Sequence, residues 1–258
     1  MESLFDLSGR VALITSSSKG IGRAIAEEMA RQGAKVVISS RKADICEEVA
    51  ASINADCADG PGEAKAIPAH IGHKEALERL VAETRAAFGK IDCLVCNAAV
   101  NPFYGSMSDL PDSAFDKILD VNIKSNHWLA QLVIPEMRER KDGSIIVVSS
   151  VGGLKGNGEI GAYCISKAAD AQLVRNLAVE LGPDNIRVNT ISPGLVRTDF
   201  ARALWENPDI LKRRTAGDPL RRIGEPREIA GIAVYLASAA GTFTTGQNFV
   251  IDGGATIS

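Results

Sequence analysis

Val11-Ala12-Leu13-Ile14-Thr15-Ser16-Ser17-Ser18-Lys19-Gly20-Ile21-Gly22 is the stretch that decides the fold. Its first five residues are apolar or β-branched without polar alternation, which suits a strand covered on both faces. The run stops at three serines, and a helical pattern takes over beyond Gly20. Glycines at such a junction let backbone approach closely, and the new helix offers unpaired N–H groups and a positive dipole end to an anion. The hydroxyls of Ser16 and Ser18 can add hydrogen bonds, and Lys19 and Ile21 complete the candidate contacts of the turn. The glycine spacing alone also fits a tightly packed turn; its place on the first strand–helix junction favours phosphate binding.

Working outward, the same rhythm repeats. Strand candidates are 11–15, 35–39, 64–68, 91–96, 144–149, 186–191 and 248–251, with helical patterns near 21–32, 42–54, 73–88, 112–139, 161–181 and 226–238. Gly33, Gly89 and Gly182 fall just past three of these, where a helix C-cap favours glycine. Alternation of this kind predicts an α/β fold: one doubly wound domain over residues 1–258, with a parallel seven-stranded sheet and helices on both faces. The stretch 195–224 breaks the rhythm with Pro208, Pro219 and several charges, which predicts a lid over a substrate.

The bulk composition narrows the function classes. A formal charge of -3 gives no electrostatic attraction to nucleic acid or to an anionic membrane surface. No apolar run approaches the roughly 18 residues that span a bilayer. The start, Met1-Glu2-Ser3-Leu4-Phe5-Asp6, lacks a signal-peptide layout. The end, Ala255-Thr256-Ile257-Ser258, matches no retention or peroxisomal address. Five cysteines without framework spacing fit a reducing compartment, so the expected location is the cytoplasm. Cys93-Leu94-Val95-Cys96 has redox-like spacing, but on a strand its two side chains point to opposite faces, and packing is the simpler reading. His70, His73 and His127 show no metal-ligand grouping, so no metal is expected. Lys212-Arg213-Arg214 reads as a solvated helix face.

Tyr163-Cys164-Ile165-Ser166-Lys167 carries the chemistry. Tyr163 and Lys167 are four apart on a helix and share a face. A phenol with a pKa near 10 is a poor base at neutral pH, and a nearby ammonium favours its ionised form. Tyr163 is then a general acid/base and Lys167 its electrostatic partner. A Tyr-x-x-x-Lys pair also arises by chance, so its surroundings matter.

Those surroundings resemble the classical short-chain dehydrogenase/reductase family, and the resemblance spans residues 9–254. The first turn is similar to the family's Thr-Gly-x-x-x-Gly-x-Gly, with Ser16 in place of the first glycine. Ser150 lies thirteen residues before Tyr163, at the family spacing, where a hydroxyl can donate to a carbonyl oxygen and stabilise developing alkoxide. Asn122 in Val121-Asn122-Ile123-Lys124 matches the asparagine thought to hold a water between the lysine and solvent. Asn97-Ala98-Ala99 resembles the Asn-Ala-Gly segment beside the cofactor. Pro193-Gly194-Leu195-Val196-Arg197-Thr198 resembles the segment that holds the nicotinamide carboxamide, with Pro193, Gly194, Val196 and Thr198 as its contacts. Ala69-His70-Ile71 occupies the Asp-Val position that contacts adenine; His70 can bond or stack there, or can be an exposed loop histidine, and Ile71 adds a contact. The resemblance implies a Rossmann-type fold and a catalytic set of Asn122, Ser150, Tyr163 and Lys167, with Tyr163 and Lys167 also touching the nicotinamide ribose.

The cofactor is read from the second strand end, Ser39-Ser40-Arg41-Lys42. An NAD enzyme of this fold usually places an acid there for the ribose hydroxyls. Ser40, Arg41 and Lys42 offer none; an arginine fork suits a 2′-phosphate, and Lys19 adds a second cation. Both cations also read as solvated surface. NADP(H) is the expectation, in the manner of the retinal/carbonyl reductase branch of the family. That branch implies a hydrophobic ketone or aldehyde as small-molecule substrate, and Phe103, Tyr104, Leu154, Leu195 and Trp205 can give an apolar pocket. The segment between Ser150 and Tyr163 also looks like 3-oxoacyl-carrier-protein reductases. A non-catalytic NADP(H)-binding module is the reading from a different class; a module of that kind has no need of an acid/base. The family implies a homotetramer through the two long helices.

Overall fold

The computed structural model describes residues 3–258; Met1 and Glu2, part of the start read above, lie outside them. Seven strands form one parallel sheet in the order β3-β2-β1-β4-β5-β6-β7. They are β1 Val11–Thr15, β2 Lys35–Ser39, β3 Glu63–Ala66, β4 Cys93–Cys96, β5 Gly143–Val148, β6 Ile186–Pro193 and β7 Asn248–Ile251. The chain lays down three strands in one direction and then places β4 on the free side of β1. That reversal opens a crevice beyond the carboxyl ends of β1 and β4, where open α/β sheets bind ligands.

Two apolar layers cover the sheet. Ala12 and Ile14 of β1 face a layer built by α1 (Gly20–Arg31), α2 (Ala43–Asp56) and α9 (Pro226–Ala237). Leu13 faces the opposite layer, built by α3 (Lys74–Phe88), α5 (Ser125–Arg140) and α6 (Gly161–Leu181). The continuously apolar strands follow from this double coverage.

Element ends differ from the sequence reading in informative places. The third strand runs Glu63–Ala66 rather than 64–68; it is the sheet edge, and Pro68 has no N–H to give a ladder. The helix expected over 112–139 is interrupted: α4 (Asp112–Leu119) passes through a π-helical turn, Asp120–Lys124, before α5 begins. Asn122 sits in that turn, and such insertions recur at functional sites. Gly33 and Gly89 take the left-handed conformation, with φ of 96° and 83°. Gly182 does not. It stays right-handed at φ -55° and continues α6 into a 3-10 turn, so the left-handed stop falls on Asn185 at φ 57°. Asparagine is among the few L-residues that visit that region readily.

The excursion at 195–224 contains α7 (Arg202–Trp205) and α8 (Pro208–Thr215). Its two feet are tied together: Arg197 N donates to the Gly224 carbonyl at 2.9 Å, and Gly224 N to the Leu195 carbonyl at 3.0 Å. Among the described residues no helix is long and apolar enough to cross a membrane.

Candidate active site

The glycine turn is a cradle of backbone. Gly20 has φ 58°, and a Cβ on Gly22 would lie 2.4 Å from Asn97 Nδ2 and 2.5 Å from the Ser16 carbonyl oxygen, so only glycine fits. Ser16 itself is left-handed at φ 52°, as expected for a residue standing where the family has glycine. Helix α1 starts without a side-chain cap, so its first N–H groups face the crevice unpaired by a cap. The three serines separate in role. Ser17 is buried, donating to the Ile14 carbonyl at 2.7 Å and accepting from Ser39 N at 2.8 Å, while Ser16 is exposed and Ser18 half-buried.

Asn97 and Ala98 brace this turn. Asn97 Nδ2 donates to the carbonyls of Thr15 and Ser16, each at 3.1 Å. The backbone N–H groups of Asn97 and Ala98 both donate to Thr15 Oγ1. The segment after β6 lies against the same turn: Thr198 Cγ2 stands 3.2 Å from where a Gly20 Cβ would be, and Lys19 Nζ pairs with Asp199 at 3.0 Å. Gly194 N donates to Ile251, and Val196 bridges to Gly224, fixing the stretch that begins at Pro193.

At the outer corner the side chains are looser. Ser40 Oγ lies 3.1 Å from Cys46 Sγ, whereas Arg41 and Lys42 are exposed and have no hydrogen-bonded side-chain partner among the described residues. His70 is half-buried rather than free: its Nδ1 accepts from Gly72 N at 3.2 Å, and its ring stacks on His73 at 4.4 Å. Burial first, then the charges of His73, Arg41 and Lys117, pushes its imidazole below the ordinary value, which places Arg41 and His70 in one corner. Ile71 packs on the core layer of α3. The backbone cradle suits the pyrophosphate of a dinucleotide.

The wall that carries Ser150, Tyr163 and Lys167 is built by the segment after β5 and by α6. Ser150 does not close the strand; it lies beyond Val148 and caps the 3-10 turn Val151–Gly153, accepting from Gly152 N at 3.0 Å. Its hydroxyl stands beside the Tyr163 phenol and favours the ionised form. Tyr163 and Lys167, one turn apart on α6, are both buried, and Lys167 Nζ lies 5.7 Å from the Tyr163 ring centroid. Asn122 is fully buried: its Oδ1 accepts from Val100 N at 2.8 Å, and its Nδ2 donates to Val100 O and Ser166 Oγ. Ser150, Tyr163 and Lys167 thus come together at one end of the crevice, while the Asn122 side chain reaches α6 only at Ser166.

One electrostatic expectation is corrected. Lys167 does pull the phenol down, but burial outweighs it, and the Tyr163 phenol sits above its ordinary value. The Asp170 carboxylate adds to the effect of burial; it accepts from the Lys167 ammonium at 3.0 Å, and that ammonium also donates to the Val148 carbonyl at 3.0 Å. Asp170 and Asn126, which hydrogen-bond each other at 3.1 Å, are site residues that the sequence reading missed. The signal was present: an acid at position 170, three beyond a lysine on an otherwise buried helix stripe. Phe200 was missed as well; its ring lies 5.9 Å from that of Tyr163.

Other residues fall elsewhere. Trp205 donates to the Thr198 carbonyl at 2.9 Å and packs on Arg197 in a groove beside α1. Arg214 is more than a solvated cation: it reaches Glu159 at 3.7 Å and Tyr104 at 3.4 Å, and Tyr104 donates to Glu159, so α8 is tied to both loops before Tyr163. Cys93 and Cys96 face opposite layers, and burial pushes the Cys93 thiol up to about 12. Among the described residues no cluster of three His, Cys, Asp or Glu side chains could hold a metal.

Comparison with known proteins agrees with this geometry. A family model described as enoyl-(acyl carrier protein) reductase matches residues 15–256. Dehydrogenase/reductase SDR family member 4 of Bos taurus is 43% identical over 248 residues, covering 96% of this chain and 88% of that protein. A 7α-hydroxysteroid dehydrogenase, solved with NADH and 7-oxo glycochenodeoxycholic acid, superposes with a TM-score of 0.90 at 34% identity, covering 98% of each chain. The Pseudomonas aeruginosa RhlG/NADP active-site complex superposes with a TM-score of 0.91 at 34% identity, covering 99% of each.

Proposed function

The chain belongs to the short-chain dehydrogenase/reductase family, and on that premise we propose that it is an NADP(H)-dependent enzyme interconverting a hydrophobic ketone or aldehyde with its alcohol. The observation that carries the reading is the convergence of Ser150, Tyr163 and Lys167 at the end of a crevice whose other wall is the glycine turn. The nicotinamide, when bound, supplies or accepts hydride.

The residues do the rest. The backbone of Gly20–Gly22 and the start of α1 receive the pyrophosphate, with Ser16 and Ser18 beside it. Ser40, Arg41, Lys42 and Lys19 receive the 2′-phosphate, Lys19 by exchanging Asp199 for it. Pro193, Gly194, Val196 and Thr198 hold the carboxamide. In the reducing direction Ser150 donates to the substrate carbonyl oxygen, and the Tyr163 phenol delivers its proton to that same oxygen. Charge left on the phenol is stabilised by the Ser150 hydroxyl and by the Lys167 ammonium one helical turn away. Phe200, Leu154 and Tyr104, all partly exposed around this end, favour an apolar substrate. The excursion 195–224, tied at its feet and latched by Arg214, acts as the cover. Ile165 and Val179 stand exposed on α6, the helix through which the expected homotetramer assembles.

The test is NADPH oxidation by the purified protein with ketones and aldehydes ordered by size and polarity, and with 3-oxoacyl thioesters as a separate arm. Turnover that rises with apolar size is expected. Turnover confined to the thioesters would favour an acyl-carrier-protein reductase, and NADPH binding without turnover of any carbonyl would favour a binding module.

A further inference from the structure

Three side chains form a continuous buried chain behind Tyr163, anchored at each end on a backbone carbonyl. Lys167 Nζ donates to the Val148 carbonyl and to Asp170 Oδ2; Asp170 Oδ1 accepts from Asn126 Nδ2 at 3.1 Å; Asn126 Nδ2 also donates to the backbone carbonyl of Asn122 at 2.6 Å. Lys167 is 2% exposed, Asn126 2% and Asp170 0%. The Asn126 orientation is dictated by two acceptors, Asp170 and the Asn122 carbonyl; turning the amide over would set its oxygen against both. Its Oδ1 consequently points where no hydrogen-bond partner meets it.

We propose that Asp170 is a positioning residue of the reaction: it holds the Lys167 ammonium in its buried position and keeps it charged, with Asn126 orienting Asp170 in turn. The proposal rests on the acid/base reading of Tyr163 and Lys167 given above. A lone ammonium out of water sheds its proton readily, and a carboxylate at 3.0 Å reverses that tendency. The groups around the pair are few. Tyr163 faces it from α6, Cys96 from β4, Ser149 from the end of β5 and Asn126 from α5; Ser150 and Cys164 stand beside Tyr163. Burial lowers the Lys167 ammonium, but Asp170 and Tyr163 raise it above the ordinary lysine value. The same carboxylate raises the Tyr163 phenol, offsetting part of what Lys167 does to it. Burial raises the Asp170 carboxyl above its ordinary value, while the Lys167 ammonium and the hydrogen bonds from Lys167, Asn126 and Ser149 favour its ionised form; as the carboxylate paired with Lys167 it bears on both ends of the pair.

The sign of the test follows from that charge. Tyr163 and Lys167 titrate as one coupled unit, and taking a negative charge out of the cluster makes the first proton easier to lose whichever group releases it. Asp170→Asn should move the alkaline limb of the pH profile for carbonyl reduction to lower pH by about one unit or more. In the nucleotide-free protein, the nitrogen resonance of Lys167 Nζ, read in lysine-labelled material, should titrate correspondingly earlier. Asp170→Leu, which keeps the side chain's bulk without its charge, should give the same displacement and covers the case in which the asparagine variant fails to fold. Superimposable limbs and an unchanged Nζ titration in either folded variant would overturn the proposal, as would an equal loss of kcat at every pH. The Nζ titration needs no turnover, so it tests Asp170 even if Tyr163→Phe shows that the acid/base reading itself is wrong.

Discussion

Tyr163 and Arg41 stand at opposite ends of one crevice and are held in opposite ways. Tyr163 is buried in a wall where the neighbouring polar side chains are spoken for: Lys167 by Asp170, Asn122 by Val100 and Ser166, Ser149 by the Lys167 carbonyl. Arg41 is exposed, beside an exposed Lys42, with its guanidinium bonded to no side chain among the described residues. On the proposed function the contrast separates two tasks. Proton transfer needs a fixed distance and a dry surrounding, which packing supplies. Discrimination between two nucleotides that differ by one phosphate needs only charge of the right sign within reach, and solvated cations supply that at little structural cost.

The contrast is most severely tested at the buried end. Tyr163→Phe removes one oxygen and keeps the ring against Phe200, so the wall should stand while the proton donor is lost. We expect kcat/KM to fall by about a hundredfold or more, roughly 2.7 kcal/mol in the barrier, with NADPH binding still detectable by fluorescence. A variant that retains activity would assign the acid/base role elsewhere and dissolve the distinction between the two ends.

At the exposed end the expected effect is smaller and purely electrostatic. The wild type should prefer NADPH over NADH by about tenfold or more in kcat/KM, about 1.4 kcal/mol, and Arg41→Asp should erase or invert that ratio without lowering thermal stability. Equal use of both nucleotides by the wild type would mean that Arg41, Lys42 and Lys19 are only solvated cations. Raising the salt concentration should compress the preference, because exposed charges are screened.

The two ends were also legible to different degrees. Tyr163, Lys167 and the strands reveal themselves through spacing, since helix and strand periods fix which side chains share a face. The parallel strands β1, β2, β4, β5 and β6 follow from apolar runs that need cover on both sides, whereas the edge strands β3 and β7 are only partly buried. What spacing did not give was partnership across the fold. Asp170 carried a local signal, three residues beyond Lys167, but its second partner Asn126 comes from α5, and Asn122 looked like a residue inside one uninterrupted helix until the π turn appeared. Arg214 read as solvated because its partners, Tyr104 and Glu159, lie more than fifty residues away in sequence. Phe200 reaches Tyr163 only through the path taken by the chain after β6. Long-range pairing of polar groups carries no local period, so it stayed hidden where apolar periodicity did not.

Between the two ends lies Ser16, and it offers the smallest and most discriminating test. Its φ of 52° costs an L-residue about 1–2 kcal/mol, and glycine there would relieve that strain while giving back about 0.5–1 kcal/mol through its looser unfolded chain. Ser16→Gly should therefore stabilise the protein by about 0.5–1 kcal/mol, a rise of about 1–4 °C in Tm for a chain of this size. The same substitution deletes a hydroxyl facing the pyrophosphate site, so KM for NADPH should rise several-fold, in keeping with one lost hydrogen bond of about 1 kcal/mol. Stability up and affinity down together would show that the turn holds its strain for the sake of the contact. An unchanged Tm would mean that the two hydrogen bonds from Asn97 to the Thr15 and Ser16 carbonyls already hold the turn in place and set its conformation, whatever residue stands at position 16.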